Sequence, residues 1–280
     1  MPELPDLEYV VDELRERAVG QRIESAKVQE PVVLRVAVEG TFAELFKGLP
    51  LRGAERRGQF VLLELGRLDL VVNPMLAGRF QLAEPSAKAR ARCFVLSLSG
   101  GLELRYLDDK KMGKVYLVPH GDVSKVPLLP ELGVDVMSKA FTREVFGALI
   151  AKRRDQVRPF LMDKRALSAI GNAYADEILW AARIHPKTRC KALRPEEVDA
   201  LYAAIGSVLR AAVAEVARRR APIDEKVRDF LSVRGRAGEP CPRCGAKIRT
   251  ARVVDSDACF CPSCQPATRK LFIDWNKTGK

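Results

Sequence analysis

Two cysteine pairs, CPRC at 241–244 and CPSC at 261–264, constrain the fold of this chain more than any other feature. Together they read C-x2-C-x16-C-x2-C. Each pair can close one tight knuckle, and four thiolates so spaced form a tetrahedral Zn²⁺ site with Zn–S bonds of about 2.3 Å. The intervening IRTARVV (248–254) is strand material, so a zinc-bound β-hairpin is expected. Two disulfides or a redox dithiol are the competing readings. Structural zinc is the better one, because the charged N-terminus offers no secretory h-region and an oxidising compartment is not expected. Cys259 lies beside the second knuckle, while Cys93 and Cys190 read as buried or free thiols. Arg243, Arg249 and Arg252 would suit nucleic-acid phosphates.

The charge distribution points the same way. Residues 1–150 carry 21 Lys and Arg against 21 Asp and Glu, whereas residues 151–280 carry 27 against 15, the whole net charge of +12. A neutral half joined to a basic half suggests that the second half grips a polyanion. Its 280 residues suit two domains, or one with an appendage, and 47% apolar content suits a soluble globular chain. No uncharged apolar run approaches the ~20 residues of a membrane span, so a cytoplasmic setting is expected. With only His120 and His185 available, Ser-His-Asp hydrolysis and His-rich metal catalysis are poor fits.

Alternating apolar stretches predict strands at FVLLEL (60–65), LDLVVN (68–73), RCFVLSLSG (92–100), LELRYL (102–107) and KVYLV (114–118). Turns between them favour an antiparallel sandwich or barrel over the first ~130 residues, with VPLLPELGVDV (126–136) as a connector. From Phe141 the period becomes helical, through Val145, Leu149 and the Leu161–Met162 pair. A strong amphipathic helix follows over Glu197 to Val216, with Val198, Leu201, Tyr202, Ile205, Val208, Leu209 and Val213 on its stripe. ARRRAPIDEKVRD (217–229) reads as a charged linker.

Two short motifs carry chemistry. In SAIGNAYADEILWAARIHP (168–186), Ile170-Gly171-Asn172 interrupts the pattern just before an apolar-periodic helix. Glycine tolerates unusual dihedrals and asparagine caps, so the segment is either a plain capped turn or a phosphate site made of helix N–H groups and the Asn172 amide. At the other end MPELPDLEYV predicts a helix: Pro5 suits its first turn, Asp6 and Glu8 suit its dipole, and Leu7, Val10, Val11 and Leu14 form its buried face. That leaves Pro2 and Glu3 without a structural task.

With MPELP, IGN-x-YADE and the two cysteine pairs in this order, nearly the whole chain resembles the formamidopyrimidine-DNA glycosylase / endonuclease VIII family. The resemblance implies an α+β multidomain fold. Its parts would be an N-terminal antiparallel β-sandwich with a flanking helix (1–130), a helix–two-turn–helix domain (131–235), a β-hairpin zinc finger (236–268) and a tail (269–280). It further implies a monomeric, nucleoid-associated enzyme of bacterial type that acts on damaged double-stranded DNA and holds one structural Zn²⁺ on Cys241, Cys244, Cys261 and Cys264. The implied reaction is bifunctional, a glycosylase that removes oxidised bases and an AP lyase that cleaves the strand by β-elimination. Once Met1 is removed, the secondary amine of Pro2 would be the nucleophile, and Glu3 the carboxyl that shuttles protons at the sugar.

DNA contacts would come from Gln59, Leu76 as the wedge, Lys111, Arg158 and Asn172. Several positions depart from the family's pattern. RRGQF places Gln59 where a lysine is usual, Asn73 stands for a histidine, Met112 for an aromatic filler, and Ser256 for the finger arginine associated with δ-elimination. Asp6 stands where glutamate is commoner, and the stretch between the long helix and VRGR is short. These departures motivate an alternative, a non-catalytic or weakly catalytic binder of damaged DNA on the same scaffold. In the tail, Phe272 and Trp275 with their neighbouring Lys and Arg read as surface packing, with DNA contact as the alternative.

Overall fold

In the computed structural model, which describes residues 2–267, the chain opens on helix α1 (Leu4–Arg17). Leu7, Val10, Val11 and Leu14 are buried as their spacing predicts, together with Leu4, Pro5 and Tyr9. Nine strands follow: β1 (Ile23–Val28), β2 (Leu34–Val36), β3 (Gly53–Arg57), β4 (Phe60–Glu64), β5 (Leu68–Asn73), β6 (Arg79–Ala83), β7 (Arg92–Leu98), β8 (Glu103–Leu107) and β9 (Lys114–Pro119). Helix α2 (Phe42–Phe46) lies between β2 and β3, capped by Thr41.

The strands form two sheets, in the orders β1-β7-β8-β6 and β2-β9-β5-β4-β3. Inward side chains of both, such as Phe80, Phe94 and Leu104 from one and Leu63, Leu70 and Leu117 from the other, join α1 in a single apolar core. This is the expected sandwich with its flanking helix. The outer face of the five-stranded sheet is also covered, because Val126 and Leu129 pack on Phe60, Leu62, Val71, Tyr116 and Val118. The Pro-rich connector is therefore a lid on the sheet, and every residue of β5 is buried. One pairing departs from the antiparallel expectation: β2 runs parallel to β9, Leu34 opposite Val115. A parallel pair needs a long crossover, and six strands lie between these two in the chain.

The chain divides into two compact units, residues 1–132 with 212–227, and 133–211 with 228 onward. The segment expected as a linker, 217–229, thus belongs mostly to the first unit. Tyr9 Oη donates to the Ala221 carbonyl at 2.9 Å, and Gln81 Nε2 donates to Asp224 Oδ2 at 3.1 Å. Ile223 packs against the sandwich core.

The second unit contains β10 (Val134–Asp135), α3 (Arg143–Ala151), α4 (Val157–Met162), β11 (Leu167–Ser168) parallel to β10, and α5 (Asn172–Ala181). Helix α6 (Pro195–Arg219) begins there and runs on into the first unit. In α3 the buried residues are Phe146 and Ile150, one position later than the predicted Val145 and Leu149. Phe141 precedes the helix and packs edge-to-face on Phe146 and at a tilt on Tyr202, which sets that phase. By length and composition alone α6 is apolar enough to cross a membrane. Its apolar face instead buries Leu201, Ala204, Ile205, Leu209, Ala212 and Val216.

The antiparallel hairpin of β12 (Arg249–Val253) and β13 (Ser256–Phe260) lies between the cysteine pairs, as expected. It turns at Val254, whose φ of 53° is left-handed. The finger does not separate as a unit of its own. Val233, Cys241, Ile248, Cys259 and Cys261 form one apolar cluster against Trp180 of α5. Phe272 and Trp275 lie outside the described residues.

Candidate active site, anion site and metal site

In the first unit Pro2 is buried and lines a small cavity with Asp6, Leu7 and Val10 of α1, Arg79 and Phe80 of β6, and residues 223–226. Glu3, also buried, is the N-cap of α1. Its N–H donates to Asp6 Oδ2 at 2.7 Å, which ties the backbone beside Pro2 to the helix start. Asp6 thereby has a definite function, and its shorter side chain still reaches.

Two exposed apolar side chains stand on loops of the same unit. Leu76 is 54% exposed and Met112 44%. The Leu76 loop is built by Asn73, whose Oδ1 accepts the Met75 N–H at 3.1 Å while Met75 takes a φ of 49°. Gly78 N–H closes it on the Pro74 carbonyl. In the second loop Asp108, fully buried, accepts the N–H groups of Lys110 (3.0 Å) and Gly113 (2.6 Å). Lys111 there has a φ of 53° and pairs with Glu30 at 2.8 Å.

Tyr106 of β8 lies under both loops. A Cβ on Gly78 would fall 2.1 Å from its hydroxyl, and one on Gly113 1.8 Å. That hydroxyl is buried without a hydrogen-bond partner among the described residues, and burial with nearby Asp108 raises its pKa. Gln59 follows Gly58 (φ 56°) in the β3–β4 turn, with its Oε1 buried and without a hydrogen-bond partner among the described residues. No feature of the sequence flagged Tyr106; the glycines at 78 and 113 were the available signal.

In the second unit Asn172 is the first residue of α5, and Gly171 is its cap in extended conformation. Arg158 is not the accessible cation that the sequence suggested. It is 1% exposed, and its guanidinium donates to Asp176 Oδ1 (2.7 Å), Ser256 Oγ (2.7 Å), Asn172 Oδ1 (2.8 Å) and the Asp257 carbonyl (3.1 Å). A buried guanidinium requires such partners. Asp176 Oδ2 accepts from Arg234 Nη1 and from the Cys259 N–H. Its neighbour Glu177 accepts the N–H groups of Ser232, Val233 and Arg234 and so fixes the approach to the finger. Burial nevertheless raises the Glu177 pKa. These two acids were visible in YADE, as charges within an apolar helix.

The Sγ atoms of Cys241, Cys244, Cys261 and Cys264 lie within 4.8 Å of one another. Cys241 and Cys264 are 4.0 Å apart, and Cys244 and Cys261 3.4 Å, against about 3.8 Å between ligands of a tetrahedral zinc thiolate. Burial and the adjacent thiols raise Cys264, whereas hydrogen bonds from the Ala246 N–H and Cys261 lower Cys244; a dication among the four sulfurs is what lets all of them stand together as thiolates. The cluster fits one structural Zn²⁺. Arg243, Arg249 and Arg252 are all exposed, and Arg243 lies over the Trp180 ring at 4.0 Å and donates to the Trp180 carbonyl. Cys93 and Cys190 are buried free thiols, raised by burial to about 11 and about 12.

Comparison with known proteins agrees with this layout. Three family models match: the formamidopyrimidine-DNA glycosylase N-terminal domain at residues 1–115, the formamidopyrimidine-DNA glycosylase H2TH domain at 132–220, and the zinc finger found in FPG and IleRS at 238–267. Formamidopyrimidine-DNA glycosylase of Symbiobacterium thermophilum is 36% identical over 98% of this chain and 92% of its own. The chain belongs to the formamidopyrimidine-DNA glycosylase family. The Pelotomaculum thermopropionicum member of that family is 33% identical, over 95% of this chain and 99% of its own. Among solved structures, Lactococcus lactis formamidopyrimidine-DNA glycosylase with a Fapy-dG-containing DNA superposes with a TM-score of 0.86 at 28% identity, over 95% of this chain and 100% of that one. The same enzyme with an abasic-site DNA gives 0.86 at 27%, with the same coverage.

Proposed function

We propose that this member of the formamidopyrimidine-DNA glycosylase family excises oxidised bases from double-stranded DNA and cleaves the resulting abasic strand by β-elimination. The observation that carries the reading is the pairing of Pro2 with Glu3 at the capped start of α1. With Met1 removed, Pro2 offers a secondary amine, and an α-amino group titrates near ~7.7–8.0, so a useful fraction is unprotonated at neutral pH. Its lone pair attacks C1′ of the deoxyribose. The base departs with the bonding electrons and a proton, and the ring opens to a Pro2 iminium. The fixed charge of the iminium acidifies C2′–H; Glu3 moves protons at the sugar, and the 3′ phosphate leaves as the C2′–C3′ double bond forms. Water then hydrolyses the iminium and returns the amine.

Recognition in this reading rests on Leu76, which enters the stack where the damaged base has swung out, with Met112 as a second apolar filler. Lys111 and Asn172 supply phosphate contacts, and Gln59 a neutral donor. The lesion-bearing and abasic DNA in the Lactococcus lactis complexes support this substrate class.

Borohydride added to the zinc-loaded protein and a duplex with one abasic site should yield a covalent protein–DNA adduct. Pro2→Gly should keep DNA binding and lose most of the adduct. An unmodified N-terminal Pro2 by mass spectrometry without any adduct rejects the mechanism and leaves the non-catalytic binder suggested by Gln59 and Ser256.

A further inference from the structure

Pro2 is buried among charges of both signs, all of them in the first unit. On α1 these are Asp6, 7% exposed, and at its cap Glu3, the chain neighbour of Pro2, 6% exposed. The return segment adds Asp224, Glu225 and Lys226, and β6 adds Arg79. Carboxylates favour the protonated form of a neighbouring amine, and a protonated amine is no nucleophile. Burial and the positive end of the α1 dipole act the other way, because both disfavour an ammonium at this place. The remaining opposition has to come from a cation. Glu225 and Lys226 are exposed, so water screens them, and Asp224 is tied to Gln81. Arg79 is only 31% exposed at its side chain, and its Nη2 lies 2.9 Å from Oδ2 of Asp109 in the 108–113 loop. That ion pair fixes the guanidinium at the cavity wall. Asp109 is 49% exposed, so it offsets the charge of Arg79 only in part.

We propose that Arg79 holds the Pro2 amine in its neutral, nucleophilic form by opposing the carboxylates of Glu3 and Asp6 across the cavity. Arg79 need touch neither base nor sugar. It is a positioning residue that acts through Pro2, and Asp109 sets its place. The inference rests on the glycosylase–lyase reading only in taking Pro2, freed of Met1, as the N-terminal residue. A charge within ~4–6 Å moves a titration by about 1–3 units, and partial neutralisation by Asp109 puts the effect of Arg79 near the lower end, about one unit.

Full-length, zinc-loaded protein beginning at Pro2 and labelled with carbon-13 proline gives the amine midpoint directly, from the NMR titration of the N-terminal ring carbons. Arg79→Gln should raise that midpoint by about one pH unit, and Arg79→Lys, which keeps the charge, should leave it within about 0.3 unit of the parent. The same variants are compared for kcat/KM on a duplex with one abasic site across about pH 6 to 9, since that ratio reports the essential groups of the free protein. Arg79→Gln should lose about tenfold below the parent's midpoint and rejoin the parent above its own, because one unit changes the neutral fraction about tenfold. A loss equal at every pH, or an unmoved midpoint in a folded variant, overturns the proposal. If Arg79→Gln fails to fold, Asp109→Asn decides. Without its partner carboxylate the guanidinium should lower the midpoint by about half a unit, and a midpoint that stays or rises overturns the proposal. A midpoint that moves with Arg79 in a protein that borohydride never traps supports the charge arrangement and removes the glycosylase–lyase reading. A parent that is trapped while the midpoint ignores Arg79 does the reverse.

Discussion

Replacing Glu177 tests whether the approach to the finger is held from α5. Its Oε2 accepts the Ser232 N–H at 2.9 Å, and its Oε1 accepts those of Val233 and Arg234 at 2.8 and 2.9 Å. In Glu177→Gln the amide oxygen can keep the Val233 and Arg234 bonds. The new NH2 group then faces the Ser232 N–H, donor against donor. One bond to a charged acceptor is lost, which costs about 1.5–3 kcal/mol. Glu177→Ala leaves all three donors without the carboxylate. Val233 is fully buried and Ser232 and Arg234 are half-buried, so water reaches only part of the gap, and the cost is about 3–5 kcal/mol. At roughly 2–4 °C per kcal/mol, the unfolding temperature should fall by several degrees in the glutamine variant and by roughly twice that in the alanine variant. Scanning calorimetry with excess Zn²⁺ measures it, and chelator-driven zinc loss should quicken in the same order. An alanine variant that melts with the parent and retains zinc equally refutes the reasoning.

Other outcomes follow from the geometry of single residues. His185 is buried, its Nδ1 accepts the Lys187 N–H, and burial together with Lys187 lowers its pKa from 6.5 to about 4. Between those values the unfolded chain binds the extra proton, so stability is lost as pH falls; about 2 kcal/mol should go between pH 7 and pH 5, and urea midpoints of His185→Gln should show a smaller drop. Gly113→Ala places a Cβ 1.8 Å from Tyr106 Oη and 2.9 Å from Asp108 Oδ2, and should destabilise by about 1–3 kcal/mol. Tyr106→Phe, which removes an unpartnered buried hydroxyl, should recover part of that loss in a double-mutant cycle by thermal melting. Leu76→Ala, at a 54% exposed position, should leave the melting temperature within about 1 °C yet slow lesion excision roughly tenfold in single-turnover assays.

Features encoded by local pattern were legible in the sequence. The buried face of α1, the strands at 60–64, 68–73, 92–98, 103–107 and 114–119, and the zinc hairpin each follow from side chains within one turn or one strand; the start of α5 was located, but its cap is Gly171, and Asn172 makes no capping bond there. Strands β3 and β6 were not legible. Their sequences, GAERR and RFQLA, are polar or irregular, and only pairing with β4 and β8 satisfies their backbone groups. Of the proposed site, Pro2, Glu3, Asn172 and the cysteines were named from sequence. The return of residues 223–226 to the Pro2 cavity was not, because a charged stretch far along the chain gives no local sign of the strand it will meet.

Arg158 shows the difference most clearly. Its sequence context determined a cation near the IGN turn. Only the tertiary structure decided that this cation is buried, since burial of a guanidinium depends on acceptors supplied by Asp176, and by Ser256 and Asp257 some hundred residues away. Local sequence sets which backbone a segment prefers and which groups it offers. Whether a charge meets water or a partner is settled by chain segments that the local pattern does not contain.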